Sequence, residues 1–129
     1  MKSLFKIMSI ASTIIFIYLF VQFLFNTETF IKDLGLMPGA TSVILMKRAS
    51  MFVLGFASIL FLSRNLPVSK ARSYISLSMI VIFFGLAANG IHGYISKTYN
   101  PSIFIAVAIE SILGIGFVIS MVMDRKSEA

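Results

Sequence analysis

Four long apolar segments constrain this chain more than any other feature of its sequence. Three of them are nearly free of charge: residues 7–25, 73–96 and 101–123, of which the last carries one acid, Glu110. A helix crosses the hydrocarbon core of a bilayer with about 20 residues. Each of these three segments therefore predicts a transmembrane helix.

The remaining segment is shorter, because residues 49–63 give only 15 uncharged positions. Extending it back to Ala40 gives adequate length and places Lys47 and Arg48 inside the helix. The sequence thus predicts an all-α, polytopic membrane protein, a four-helix antiparallel bundle with short loops. Its predicted helices, in one domain covering residues 1–129, are about 5–25, 41–63, 71–96 and 101–123.

The composition agrees with a membrane protein and excludes several other classes. Hydrophobic residues make up 58% of the chain, charged residues 12%, and the mean hydropathy is +0.97. The net charge of +6 lies at the ends of the apolar segments, which favours anionic lipid head groups over nucleic acid. With no cysteine and His92 as the single histidine, we expect no metal site and no cofactor.

The basic residues predict the orientation of the bundle. The two termini and the middle loop hold seven of them, namely Lys2, Lys6, Arg64, Lys70, Arg72, Arg125 and Lys126. The opposite side holds four, namely Lys32, Lys47, Arg48 and Lys97. Because cytoplasmic loops of membrane proteins are enriched in Lys and Arg, both termini are predicted to lie in the cytoplasm.

The loop of residues 26–39 would then lie outside. Its "TETFIKDLGL" stretch predicts a short interfacial helix, with Phe30, Ile31 and Leu34 towards lipid and with Gly35 ending it.

Each predicted membrane helix carries a charged, amide or imidazole side chain in the outer half of the bilayer, whereas the polar residues of the inner half are mainly hydroxyls. Glu110 lies about 13 Å below the outer end of its helix, and Arg48 about 9–12 Å below the outer end of its own. Because an isolated carboxylate in hydrocarbon is costly, we expect Arg48 and Glu110 to form an ion pair. Asn89 and Gln22 would satisfy their remaining hydrogen bonds, and His92 lies one turn nearer the surface.

Small residues recur on the same predicted faces as these polar groups. Gly85, Asn89 and Gly93 are spaced by four residues, and so are Ala106, Glu110 and Gly114. Arg48 and Gly55 are seven apart, on one face. Since small residues let helices approach closely in lipid, the sequence predicts that these faces point into the bundle.

The pattern resembles a family of small bacterial inner-membrane proteins with four helices, a domain of unknown function. The resemblance covers nearly the whole chain and rests on "KRASMFVLGFASILFLSR", with Arg48, and on "NPSIFIAVAIESILGIGF", with Glu110. It implies the fold and a multi-pass location in the bacterial inner membrane. It implies no particular activity.

We favour a non-catalytic membrane protein that binds a lipid or a small amphipathic molecule, or that serves as an accessory subunit. An outward-facing polar pocket around Arg48 and Glu110, with Asn89, His92 and Gln22, would be its site. The same pair could equally be a clamp that fixes one arrangement of the bundle. Expected partners are membrane lipids, such a ligand, and a second copy or another membrane protein, but no nucleic acid.

The alternative is a small proton-coupled transporter of the multidrug-exporter type. The small multidrug resistance transporters also have four helices and one membrane glutamate, but theirs lies in the first helix and their charge bias is weak. An arginine beside Glu110 would favour the ionised carboxylate and hinder proton exchange. An enzyme acting on lipid ranks last, because the sequence offers no metal-binding set, nucleophile–base pair or nucleotide loop.

Overall fold

The computed structural model describes residues 2–128, which form helices and connecting loops without strands. The five helices are α1 (Lys2–Phe25), α2 (Thr27–Asp33), α3 (Ala40–Ser63), α4 (Lys70–Ile95) and α5 (Ile103–Glu128). By length and composition, α1, α3, α4 and α5 are each able to cross a membrane. The prediction of an all-α chain with four apolar spans is confirmed.

The short helix α2 forms in the loop where the sequence predicts it. Its last turn closes with a Schellman motif, in which the N–H of Gly35 donates to Lys32 O (2.9 Å) and that of Leu36 donates to Ile31 O (3.2 Å). Gly35 has a φ of 86°, a left-handed conformation that glycine adopts without a Cβ clash. The prediction that Ile31 faces lipid is wrong, because its side chain is buried.

At the connection between α4 and α5, α4 ends one residue earlier and α5 begins two residues later than predicted, while α5 continues past the predicted end at residue 123 to Glu128. α4 stops at Ile95, and Lys97 then takes a positive φ of 63°, which turns the chain out of the helix. The N–H of Ser102 donates to the Asn100 side chain (3.0 Å). This local turn carries the chain past Pro101, so α5 begins later than predicted.

The four long helices associate mainly as two pairs, α1 with α3 and α4 with α5, and α1 also contacts α5 to a smaller extent. At one end of the bundle, Arg72 from the start of α4 meets Asp124 from the last part of α5. We call this the ion-pair end. At the other, the α2 end, Asn100 N–H donates to Leu34 O (2.9 Å) and Ser102 Oγ donates to Asp33 O (2.8 Å).

Two buried apolar clusters hold the helices together. The larger one draws on all four long helices and lies towards the ion-pair end: Phe5, Met8, Phe16, Ala57, Leu60, Met79, Phe83, Leu113 and Phe117. Within it, the ring of Phe83 stacks on those of Phe16 (5.4 Å) and Phe117 (6.2 Å). The smaller one, Ala87, Ile103 and Val107, joins only α4 to α5 near the α2 end. The fully buried apolar contacts that unite both helix pairs therefore lie in one half of the bundle.

Candidate functional site

Arg48 lies on the outward side of α3. The buried face of this helix carries Ser50, Ala57 and Leu60. Arg48 precedes Ser50 by two residues, which is about 200° around a helix, and its side chain is exposed. Gly55 lies on the same side, and a Cβ added there would meet no atom within 4 Å. Arg48 and Gly55 share one face, as predicted, but that face points away from the other helices.

Glu110 lies on the inward face of α5. Val107 and Leu113, three residues before and after it, are both buried. Gly114, one turn along, is also buried, and a Cβ there would lie 3.0 Å from the ring of Phe84 on α4. The predicted small-residue face of α5 thus packs against α4. Glu110 itself stays partly exposed.

The predicted ion pair between Arg48 and Glu110 is not formed within the chain. Their helices, α3 and α5, each pack against α1 and form no substantial interface with each other. Among residues 4–127, whose side chains the structure describes, the salt bridge is that between Arg72 and Asp124. The prediction of an internal Arg48–Glu110 pair is therefore wrong, because the rotational register of α3 turns Arg48 outward.

The other predicted members of the polar cluster do not converge either. Asn89 and His92 on α4 are exposed, and Gln22 on α1 is partly buried. The inward face of α4 near its end carries Gly90 and Gly93 instead. Asn89 and His92 each immediately precede one of these glycines, so they point to the side of the helix or outward.

The glycine pattern of α4 divides between two faces. A Cβ at Gly85 would meet nothing within 4 Å, whereas one at Gly90 would lie 2.9 Å from Val107 of α5. A Cβ at Gly93 would overlap the ring of Tyr99. Gly90 and Gly93 are therefore the positions where close approach requires glycine, and the prediction of inward packing at Gly85 is wrong.

A pocket of about 280 Å³ opens at the α2 end, where α1, α2 and α3 meet. It is lined by apolar and polar residues, namely Leu24, Phe25, Asn26, Thr27, Glu28, Thr29, Val43 and Lys47. Lys47 and Glu28 bring one charge of each sign to its rim, and both are exposed. The sequence placed Lys47 inside the second predicted span, but it did not predict this pocket.

The Arg72–Asp124 pair is the buried ionic contact of the bundle. Nη2 of Arg72 donates to Oδ1 of Asp124 and Nε lies opposite Oδ2, both at 2.9 Å. The side chains are only 2% and 6% exposed. Nη1 donates to Leu66 O (2.9 Å), and the guanidinium carbon lies 4.6 Å from the centre of the Phe5 ring. Arg72, which the sequence analysis treated as a topology signal, is thus an internal residue.

Buried hydroxyl groups continue inward from this ion pair. Among the described residues, four serine hydroxyls are fully or almost fully buried without a hydrogen-bond partner: Ser9, Ser12, Ser76 and Ser120. Ser76 follows Arg72 by one helical turn, and Ser120 precedes Asp124 by one turn. The buried polar side chains of the membrane spans are therefore concentrated at the ion-pair end, opposite to the predicted outer cluster.

Among the described residues, polar side chains gather at two separate places. Lys47 and Glu28 lie at the pocket of the α2 end, and Arg72, Asp124 and buried serine hydroxyls lie at the ion-pair end. Within residues 4–127, no group of three His, Cys, Asp or Glu side chains is placed to hold a metal ion. Comparison with protein-family models, with curated proteins and with solved structures finds no match for this chain. The assignment of function therefore rests on the geometry of the chain itself.

Proposed function

We propose that this chain is a non-catalytic integral membrane protein that binds the head group of a lipid or of a small amphipathic molecule. The observation that carries the proposal is the pocket formed by α1, α2 and α3 at the α2 end. It lies where a membrane span ends and a short helix turns along the bundle end, the level at which lipid head groups are found.

The chemistry of the pocket selects a zwitterionic head group. Lys47 supplies an ammonium group for a phosphate, and Glu28 supplies a carboxylate for a ligand ammonium. Leu24, Phe25 and Val43 provide apolar contact for the adjoining chain. A volume of about 280 Å³ lies just below the range of typical small-molecule pockets, and this suits a head group better than a whole lipid.

The proposal is tested by native mass spectrometry of the protein released from membranes that contain phosphatidylethanolamine and phosphatidylglycerol. The wild type should retain phosphatidylethanolamine preferentially. Lys47→Gln and Glu28→Gln should each lower its retention about fivefold, which corresponds to about 1 kcal/mol. Lys32→Gln is the matched control, because Lys32 is an exposed lysine of α2 outside the pocket lining. Equal retention by all four proteins would refute the head-group site.

The membrane arrangement that accompanies this function is an antiparallel bundle in a bacterial inner membrane with both termini cytoplasmic. The distribution of Lys and Arg supports this orientation. The contact of Arg72 with Asp124 at one end and of Asn100 with Leu34 at the other supports the alternation of helix directions. A reporter that works only in the cytoplasm should be active when it is fused to either terminus. Activity of a reporter that works only in the periplasm, fused to either terminus, would contradict the orientation. Membership of the four-helix family named above remains part of this proposal.

A small proton-coupled exporter is the second candidate, and Glu110 is the residue that favours it. An arginine paired with Glu110 would hinder proton exchange and so oppose this function. Within the described residues, Glu110 has no such partner, and it is partly exposed on an inward face. Proton-driven efflux from reconstituted vesicles that disappears in Glu110→Gln would support the exporter, whereas vesicles with no such efflux would exclude it.

A further inference from the structure

We infer that the ion-pair end contains a second binding site, in which water molecules are bound between the hydroxyl groups of Ser9, Ser76 and Ser120. These serines belong to three different helices, α1, α4 and α5. The site lies at the opposite end of the bundle from the head-group pocket, and the inference does not depend on head-group binding. It starts from the burial of these three hydroxyl groups without hydrogen-bond partners among the described residues.

Ser9 and Ser76 lie at the same level on α1 and α4. The ring centre of Phe5 lies 4.6 Å from the guanidinium carbon of Arg72, and each serine follows one of these two residues by four positions. The stacked phenylalanine rings that join α1 to α4 lie seven positions further along each helix. The two serines therefore lie between the same two contacts, about 6 Å along the bundle from the first.

Ser120 lies at this level on α5. It follows Phe117 by three residues and precedes the ion-paired Asp124 by four. The ring of Phe117 packs against the rings of Phe5 (6.3 Å) and Phe83 (6.2 Å). Ser120 is therefore enclosed between the ion pair and the aromatic rings, as the other two serines are, and the three form one serine layer.

The hydroxyl groups of the serine layer are buried and unpaired. Ser9 and Ser76 are 0% exposed and Ser120 is 1% exposed, and none of the three hydroxyls has a hydrogen-bond partner among the described residues. By contrast, the exposed Ser78 on α4 donates to Tyr74 O of its own helix (2.8 Å). Burying a hydroxyl without a partner is destabilising, and ordered water is the usual partner of such a group in a protein interior.

The spacing of the helices leaves room for water in this layer. Within residues 2–128, α1 and α4 form no extensive backbone contact. Long side chains bridge them on both sides of the layer, namely Phe5 with Arg72 and Phe16 with Phe83. The serine side chains between these bridges are much shorter, so their hydroxyls stay beyond hydrogen-bonding reach of one another.

The chemistry of the layer selects water over an ion. Each hydroxyl both donates and accepts, and water does the same. The adjacent pair of Arg72 and Asp124 carries no net charge, so it favours neither a free cation nor a free anion. A buried water makes about three hydrogen bonds, which the three hydroxyls supply from three helices. The bound water would therefore join α1 to the α4–α5 pair.

Transfer of proton magnetisation from water, measured by solid-state NMR on the full chain in lipid vesicles, tests for the water directly. Transfer should reach the β-protons of Ser9, Ser76 and Ser120. Phe83 is the internal control, because its ring is buried beyond the serine layer, and it should receive markedly weaker transfer. Three serines that receive no more transfer than Phe83 would overturn the inference.

Unfolding of serine variants by sodium dodecyl sulfate in mixed micelles tests the same site independently. Ser76→Ala and Ser120→Ala should each raise the unfolding equilibrium constant about fivefold, because each removes a hydrogen bond to bound water. Hydroxyls packed without water would give the opposite sign, since alanine then removes an unpaired polar group. Ser78→Ala is the matched control and should change the constant by less than about twofold.

The double variant of Ser76→Ala with Ser120→Ala tests whether the two hydroxyls share their water. It should raise the unfolding equilibrium constant by less than the product of the two single effects, because neither hydroxyl contacts the other directly and shared water couples them. Strictly independent effects, or a lower constant for either single variant, would overturn the inference.

Discussion

Replacing Asp124 by alanine removes one half of the buried ion pair and tests what holds the ion-pair end together. The change deletes two contacts of 2.9 Å to the Arg72 guanidinium. It leaves a cation whose side chain is 2% exposed with Leu66 O as its hydrogen-bond acceptor and the Phe5 ring as its neighbour. A buried charge without its counter-ion is strongly destabilising.

The magnitude follows from the number of contacts and their burial. Breaking a buried ion pair from one side costs about 3–5 kcal/mol, and we expect Asp124→Ala to fall in this range. Asp124→Asn keeps the shape and one acceptor oxygen but loses the charge, so about 1.5–3 kcal/mol is expected. Combining Arg72→Met with Asp124→Leu replaces the pair by apolar side chains, and the double variant should recover most of the loss.

The assay is unfolding of the purified protein by sodium dodecyl sulfate in mixed micelles, followed by circular dichroism. Arg125→Ala is the matched control, because Arg125 is adjacent to Asp124 and exposed. It should change the free energy of unfolding by less than about 0.5 kcal/mol. A loss below about 1 kcal/mol for Asp124→Ala, or a double variant as unstable as Asp124→Ala alone, would refute the reasoning.

Two further substitutions test the helix packing in the same unfolding assay. Gly93→Ala would push a methyl group into the ring of Tyr99 and should cost about 1–3 kcal/mol, whereas Gly55→Ala, which meets nothing within 4 Å, should be neutral or slightly stabilising in the monomer. Equal effects at the two glycines would contradict the packing described. Phe16→Ala removes a ring that is 2% exposed and stacked 5.4 Å from Phe83. It should cost about 3–5 kcal/mol, and a loss below about 1 kcal/mol would show that the large cluster is not a packed core.

The helices themselves could be predicted because the signal for a membrane span is local. A stretch such as 7–25 is apolar all round, and its length alone decides that it forms a long helix. The end of α2 was equally local, since Gly35 is the residue suited to a left-handed turn after a helix. These features depend on neighbouring residues and on backbone sterics, which the sequence contains.

The faces of the helices could not be predicted in the same way. In a water-soluble bundle the buried face is the apolar one, but in lipid the exposed face is apolar as well. Arg48 and Gly55 were correctly placed on one side of α3, yet nothing local distinguishes an inward side from an outward one. The same ambiguity placed Gly85 inside, whereas on α5 the prediction for Glu110 and Gly114 was right.

One buried contact, the Arg72–Asp124 pair, did carry a sequence signal that the depth argument overlooked. Arg72 stands in the first turn of α4, where the helix dipole disfavours a cation, and Asp124 stands near the end of α5, where the dipole disfavours an anion. Neither charge is stabilised by its own helix, so each requires a partner. Consecutive membrane helices joined by a short loop bring the start of one beside the end of the next. Two charges that each oppose their own helix dipole, at ends brought together in this way, therefore predict a pair between helices, and Arg48, eight residues inside α3, offers no such signal.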